Sequence, residues 1–430
     1  MARSRSTLIL ILILAGLVAA PAARGELVPV GNAFEVVPEI VNPPPVDPSP
    51  GGLQSRAQPA AVALPGGGFA LVWIDDMEDS AGQINASAVK GRLIDAAGAV
   101  GAEFHATLSL EDPAARRVAC PALANLGAGR FALSWAQDRP GGRDVWVERF
   151  SLAAGAVVSD AGGAQPHGTA SAGTFGDLPK LAGNASGRSA LSWAEVFRAS
   201  AAAPAELSYR LLGLNPAGAP VTTALRLGNA AASDRQVRPA VLLDNAGIAT
   251  AFWLEPDATG LSTLWGQRFR PSGAPLGQKI QIGQRAVDGV AVARQANGEL
   301  VLIWAKRNTN GATRVMVERR RANLQAIGLP RSIGNVITLA QPELLANAAG
   351  DFALAWLDGD RLKALHVGAD LKRRGAIVNI GYAQPELILP RAHGFAAALS
   401  NGKLFLAWEG EMPGSFCPAN GIRGRIFELR

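Results

Sequence analysis

The sequence predicts an all-β fold of seven four-stranded antiparallel sheets standing around one axis, with a strand from near the N-terminus completing the last sheet. Three observations predict it. A tryptophan recurs seven times at nearly even intervals, and a glycine stands six residues before each one. The chain also stops one strand short in its seventh repeat, while a matching strand lies near its start.

The recurring tryptophans are Trp73, Trp135, Trp193, Trp253, Trp304, Trp356 and Trp408, spaced by 62, 58, 60, 51, 52 and 52 residues; Trp146 and Trp265 fall outside the series. The glycines are Gly67, Gly129, Gly187, Gly247, Gly298, Gly350 and Gly402. Pairs such as Asn297-Gly298 and Asn401-Gly402 are hairpin-turn dipeptides that accept positive φ. Each glycine therefore marks a tight turn between a first strand and a second strand that ends near the tryptophan. Fourteen residues before the tryptophan stands Pro59, Pro121, Pro179, Pro239 or Pro342, replaced by Val290 and Gly394 in the other two repeats. Proline there is expected to open the first strand, where its missing N–H is harmless.

A third strand follows a variable loop and carries arginine before an apolar residue: Arg92, Arg149, Arg210, Arg268 and Arg425, with Arg319-Arg320 and His366-Val367 in the fifth and sixth repeats. A glycine-containing turn then leads to a fourth strand, as at 101–104 and 277–280. Four strands in 50 to 60 residues is the size of one propeller blade.

The second strands show how such sheets pack. Phe69, Leu71 and Trp73 alternate with Ala70 and Val72, Phe131, Leu133 and Trp135 with Ala132 and Ser134, and Phe352, Leu354 and Trp356 with Ala353 and Ala355. One face is bulky and the other mostly small, so each sheet is expected to press its large side chains onto the small face of its neighbour.

The seventh repeat ends after its third strand, 422–429, and the segment 31–36 reads like the fourth strand at 101–104. Pairing the two ends would hide both sheet edges. The pattern resembles the seven-bladed β-propeller superfamily over nearly the whole mature chain. Tryptophan is never followed by aspartate, so the WD repeat is absent, as are the sialidase-type Asp box, the kelch double glycine and the quinone-binding repeat. The unit is most similar to the tryptophan-terminated repeats of exported bacterial proteins of unassigned role. The expected organisation is a signal peptide at 1–25, then a single propeller at 26–430 with a closing strand at 29–37 and a proline-rich connection at 38–52. The blades are expected near 55–110, 117–160, 176–228, 236–283, 287–335, 340–381 and 384–430. Gln384-Pro385-Glu386-Leu387 copies Gln341-Pro342-Glu343-Leu344 but lies too early for its tryptophan, so 384–393 reads as an insertion.

Composition agrees: 48% hydrophobic and 18% charged residues, with 49 Gly and 28 Pro, suit short buried strands joined by tight turns. Arg3 and Arg5, the apolar run 7–20 and the small residues at 20–25 have the form of a cleaved secretory signal, which makes the protein secreted or periplasmic. Cleavage removes three arginines and lowers the formal charge from +6 to +3, which does not call for nucleic acid. No later segment is apolar and long enough to span a membrane. Cys120 and Cys417, one starting the first strand of the second repeat and one in the post-tryptophan loop of the seventh, are expected to form a disulfide in an oxidising compartment.

Residues that recur in every repeat read as scaffold; function is expected in the loops that differ. The loops after the tryptophans gather acids, namely Asp75, Asp76, Glu78 and Asp79, Glu255 and Asp257, Asp358 and Asp360, and Glu409 and Glu411, whereas the opposite end collects arginine and lysine. Gln58, Cys120, Arg238, Asp288, Gln341 and His393 lie at or before first-strand starts and are expected at the mouth of a central channel. Ligand contacts are therefore expected from Gln58, Asp75, Asp76, Arg238, Glu255, Asp288, Gln341, Asp358, Asp360 and His393. Calcium would suit the carboxylates of the first or sixth loop, but the spacing matches no EF-hand or repeat-in-toxin pattern, and no cofactor is expected. His105, His167, His366 and His393 are scattered and no nucleophile elbow accompanies them. The leading expectation is a non-enzymatic binding or scaffold propeller for a protein or glycan. The alternative is a secreted carbohydrate-active hydrolase or lyase that uses carboxylates at the channel mouth, such as Asp75, Glu255 or Asp358.

Overall fold

The computed structural model describes residues 26–37, 53–78, 84–106, 117–168, 174–197, 206–231, 239–256, 261–359, 361–382, 394–409 and 421–430. Among them no helix occurs, and every named strand belongs to one of five sheets. Each of the seven tryptophans lies on a second strand: Phe69–Glu78, Arg130–Arg139, Ser189–Phe197, Ala249–Pro256, Leu300–Arg307, Phe352–Asp358 and Lys403–Glu409. These strands define units one to seven. The turn glycine before each has positive φ, from 73° at Gly402 to 94° at Gly67, where a side chain would be strained.

Units one and six are separate four-stranded meanders, Leu53–Ala63 through Val100–His105 and Ala340–Ala346 through Arg373–Tyr382. Seven separate sheets were expected; hydrogen bonding instead merges two pairs of units. Units two and three form one nine-stranded sheet through a parallel bridge between Phe175 and Arg143. Units four and five share the 15-residue strand Ile280–Arg294. Its first part pairs with Ser262–Phe269 and its last part with Leu300–Arg307. Unit seven contains Phe395–Ser400, Lys403–Glu409 and Ile422–Leu429, and its fourth strand is Leu27–Val37, with Val30 opposite Ile426 and Phe34 opposite Gly424.

The first strands contact one another in sequence. Leu53–Ala63 touches Val118–Gly127, which touches Thr174–Gly183, then Ala240–Leu243, Ile280–Arg294, Ala340–Ala346 and Phe395–Ser400, and the last touches Leu53–Ala63 again. Packing follows the same order. Phe131, Leu133 and Trp135 of unit two press on Ala70, Val72 and Ala60 of unit one. Trp193 meets Ala124 and Ala132 of unit two, Trp253 meets Ala190 and Ala194 of unit three, and Trp73 meets Ala396 and Ala407 of unit seven. All seven tryptophans are essentially buried. Burying such a ring removes roughly 150–250 Å² from water, which makes these interfaces the main source of cohesion.

Lys180 and Glu343 occupy the same place in units three and six, thirteen residues before the tryptophan, and form an ion pair between these distant units. Ala60, Ala122, Ala240, Ala291 and Phe395 hold the equivalent positions.

Candidate functional site

The first strands carry a recurrent irregularity. Their ladders slip between Ala57 and Ala60, Ala119 and Ala122, Asp177 and Lys180, Val287 and Val290, and Ala340 and Glu343. Within each slip one residue is left-handed: Gln58 (φ 55°), Cys120 (55°), Leu178 (53°), Asp288 (64°) and Gln341 (50°). These are β-bulges. Pro59, Pro121, Pro179 and Pro342 are therefore inside the strand rather than at its opening, because a bulge leaves a residue unpaired and needs no proline N–H. A non-glycine residue in this conformation costs about 1–3 kcal/mol and persists only where its surroundings fix it.

Contacts between units supply that fixation. The Gln58 backbone N–H donates to Glu409 of unit seven, and the Gln58 side-chain oxygen Oε1 accepts from the Cys120 N–H at 2.5 Å. Cys120 Sγ donates in turn to Asp177 Oδ1 of unit three at 3.3 Å, and Asp177 also accepts from Leu178 N at 2.9 Å. Asp288 of unit five accepts from Leu339 N of unit six at 3.2 Å. A relay of polar groups thus runs from unit seven through one and two to three.

The acids after the tryptophans behave differently. The second residue past the tryptophan is Asp75, Glu195, Glu255 or Asp358 in four units, and the residue facing the tryptophan on the third strand is Lys90, Arg210, Trp265 or Lys363. Asp75 pairs with Lys90, Glu195 with Arg210 at 2.5 Å, and Asp358 with Lys363 at 2.5 Å. Glu255 accepts from Trp253 Nε1 at 2.9 Å and from Lys279 Nζ at 3.0 Å, whose ammonium also sits 4.3 Å from the Trp265 ring centre. The third-strand arginines do not share one position: Arg210 faces Trp193, but Arg92 faces Leu71 and Arg149 faces Ala132. In units one, three and six the pairing cation is the one opposite the tryptophan.

Asp76 accepts from Ser87 Oγ, which itself accepts from Val118 N at 3.2 Å. Asp358 also accepts from Ile337 N at 2.7 Å and Thr338 N at 2.9 Å. Burial alone would raise its pKa, but Lys363 and these two N–H donors outweigh that and hold it below the ordinary carboxylate value. Such a group stabilises the fold above its unfolded pKa of about 3.9 and loses that contribution as pH falls through the folded value. Lys363→Met is therefore expected to cost about 3 kcal/mol at pH 7, with a smaller cost in acid. Urea denaturation of both proteins at pH 7 and pH 3 checks this; a pH-independent difference would contradict it.

A different constellation remains open to solvent. Arg143, at the start of the third strand of unit two, donates from Nε to Asp138 Oδ1 at 2.5 Å and from Nη1 to Asp177 Oδ2 at 3.1 Å. Burial opposes its charge, yet Asp177 and Asp138 together hold the guanidinium pKa above its ordinary range. The side chains of Asp138, Arg143 and Asp177 are 38%, 21% and 19% exposed. Beside them unit three offers one exposed aromatic ring, Phe175, whose backbone bridges Arg143, whereas Phe197, paired with Thr174, faces the other side of the sheet. Two carboxylates set by one guanidinium, next to one accessible apolar ring, form a site that can meet the C–H face of a sugar at Phe175 and act on it with acid and base groups.

Of the residues expected from sequence, Gln58 joins the relay, Asp75, Asp76, Glu255 and Asp358 sit in local pairs, and Asp288 and Gln341 lie in bulges. Arg238, Asp360, His393 and Cys417 lie outside the described residues, and with Cys417 the expected disulfide to Cys120. Asp138, Arg143 and Asp177 escaped sequence reading. Asp138 stands three residues past its tryptophan, and Asp177 immediately precedes a bulge, a position whose importance only the strand register reveals. Among the described residues no group of three or more His, Cys, Asp or Glu forms a metal site.

No family model matches the chain, and no curated protein matches it. Solved structures similar to it include polysaccharide lyase Uly1, at 10% identity and TM-score 0.49, covering 86% of this chain and 90% of that one. Another is the GH93 α-L-arabinofuranosidase of Fusarium graminearum with arabinobiose, at 12% identity and TM-score 0.48, covering 93% and 99%. A third is the Hadza microbial sialidase Hz136, at 9% identity and TM-score 0.46, covering 81% and 75%. The expectation of a non-enzymatic binding or scaffold protein is corrected here. The three structures just described are named as carbohydrate-active enzymes, a class that the leading expectation did not include, and a puromycin hydrolase and a protein of unknown function are similar as well.

Proposed function

We propose that this chain is an exported carbohydrate-active hydrolase or lyase, and that its chemistry lies at Asp138 and Asp177 rather than at Asp75, Glu255 or Asp358. The observation that carries the reading is the Asp138–Arg143–Asp177 arrangement beside Phe175. Glycoside hydrolysis needs two carboxylates flanking the scissile bond, one to donate a proton to the leaving oxygen and one to act as nucleophile or base. Asp177, fixed by three donors, is the positioned member. Asp138 is the more exposed member of the pair. Paired carboxylates favour hydrolysis over elimination.

In this reading the seven units are blades of one closed ring, with Leu27–Val37 closing the seventh. The cyclic contacts of the first strands and the tryptophan-to-neighbour packing support it. Export rests on residues 1–25, which lie outside the described residues.

The test is a screen of the purified mature protein against neutral and uronate-containing polysaccharides, with reducing ends and unsaturated products both measured. New reducing ends without unsaturated product are expected. Elimination products would replace hydrolysis with a lyase reaction, and folded protein inert on the whole panel would overturn the reading.

A further inference from the structure

Unit five inverts the charge of this end of the molecule. Two residues past its tryptophan, where four other units carry an acid, stands Lys306, and directly opposite on the next strand is Arg314. Like charges facing each other across a strand pair are destabilising. Arg307 follows Lys306, and Arg285 completes the group. These four cations line one open cavity of about 410 Å³, with Asn308 and Asn310 among the other residues on its wall. Among the described residues none of the four forms an ion pair with a carboxylate.

The site is built as well as charged. Arg285 is left-handed (φ 56°), and its guanidinium is fixed by donation to Arg307 O at 2.8 Å and Asn308 O at 3.1 Å. A second cavity of about 310 Å³ shares Lys306 and is lined by Gln281, Gln284, Trp304 and Met316. Trp304 is essentially buried, and its Nε1, like those of Trp73, Trp193, Trp356 and Trp408, has no hydrogen-bond acceptor among the described residues. In units two and four that indole proton goes to the residue two places on, Gln137 or Glu255. Lys306 cannot accept it.

We propose that unit five binds an acidic sugar residue, a uronate or a sulfate ester, in the cationic cavity, and the neighbouring neutral sugar in the amide-lined one. This inference rests on the glycan reading above and names its substrate class.

The probes are polygalacturonate and dextran sulfate for the two anions, xylo-oligosaccharide as the neutral control and single-stranded RNA as the rival polyanion. Binding is measured on the mature wild-type protein and on Lys306→Gln/Arg314→Gln, each at several salt concentrations. Wild type should bind at least one anionic glycan with strong salt dependence. The variant should bind it about tenfold or more weakly, while melting no lower than wild type, because a like-charge contact has gone. Unchanged affinity in the variant, or wild-type affinity that ignores salt, overturns the proposal, and the salt series decides even if the variant fails to fold. Tighter binding of RNA also overturns it. Turnover of neutral glycans without anionic binding defeats this inference alone; anionic binding without turnover of any glycan supports it and defeats the hydrolase reading.

Discussion

Asp177→Asn is expected to abolish glycan turnover, lowering kcat by about 10²- to 10⁴-fold, while substrate affinity changes little. Asparagine keeps the size of the side chain and one oxygen that can still accept from Cys120 Sγ and Leu178 N, but its amide nitrogen replaces the oxygen that accepts from Arg143 and it cannot act as a base or nucleophile. Asp138→Asn should fall by a similar factor, and the double variant by little more than either single one, since groups acting as a unit are not additive. Asp75→Asn serves as control. Its carboxylate is committed to Lys90, so the change should move stability rather than kcat. Steady-state kinetics of the four proteins on the best substrate from the screen decide the matter. If Asp75→Asn lost turnover while Asp177→Asn kept it, the site would have to move to unit one.

Removal of residues 26–37 is expected to prevent stable folding. Val36 and Val37 are buried in a cluster with Phe69, Trp73, Phe405 and Ile426, and Leu27 is buried against Leu406 and Phe427. Three such side chains contribute roughly 1.5–3 kcal/mol each, a sum comparable to the 5–15 kcal/mol that typically separates folded from unfolded domains. The deletion also bares the edge of Ile422–Leu429, which invites intermolecular pairing. Light scattering should show association, and thermal melting should show a broad, lowered transition. A truncated protein that is monomeric and melts with wild type would mean that the N-terminal strand contributes little.

The second strands were legible because two constraints coincide there. A left-handed glycine fixes the turn, and a buried tryptophan six residues on fixes the register, so a local pattern determines a local structure. Bulges hid more. Gln58, Cys120 and Gln341 looked like strand openings, because proline after them reads as a boundary, whereas the backbone accommodates proline by leaving a residue out of the ladder. The Asp138–Arg143–Asp177 contact was illegible for a further reason. It joins two units through a single parallel bridge, and no spacing in sequence encodes which loop ends meet. Unit five was the opposite case. Lys306 visibly breaks the acid pattern after the tryptophans, and only the habit of reading repeats for what they share conceals it.

The strand Ile280–Arg294 carries a mechanical implication. Because one continuous backbone segment is hydrogen-bonded into units four and five at once, neither can detach without fraying the other. The two behave as a single foldon. Amide protons on both sides of Gly283 should then exchange with deuterium at a common rate, and the cation-lined cavity, seated at this splice, inherits the rigidity of both neighbours.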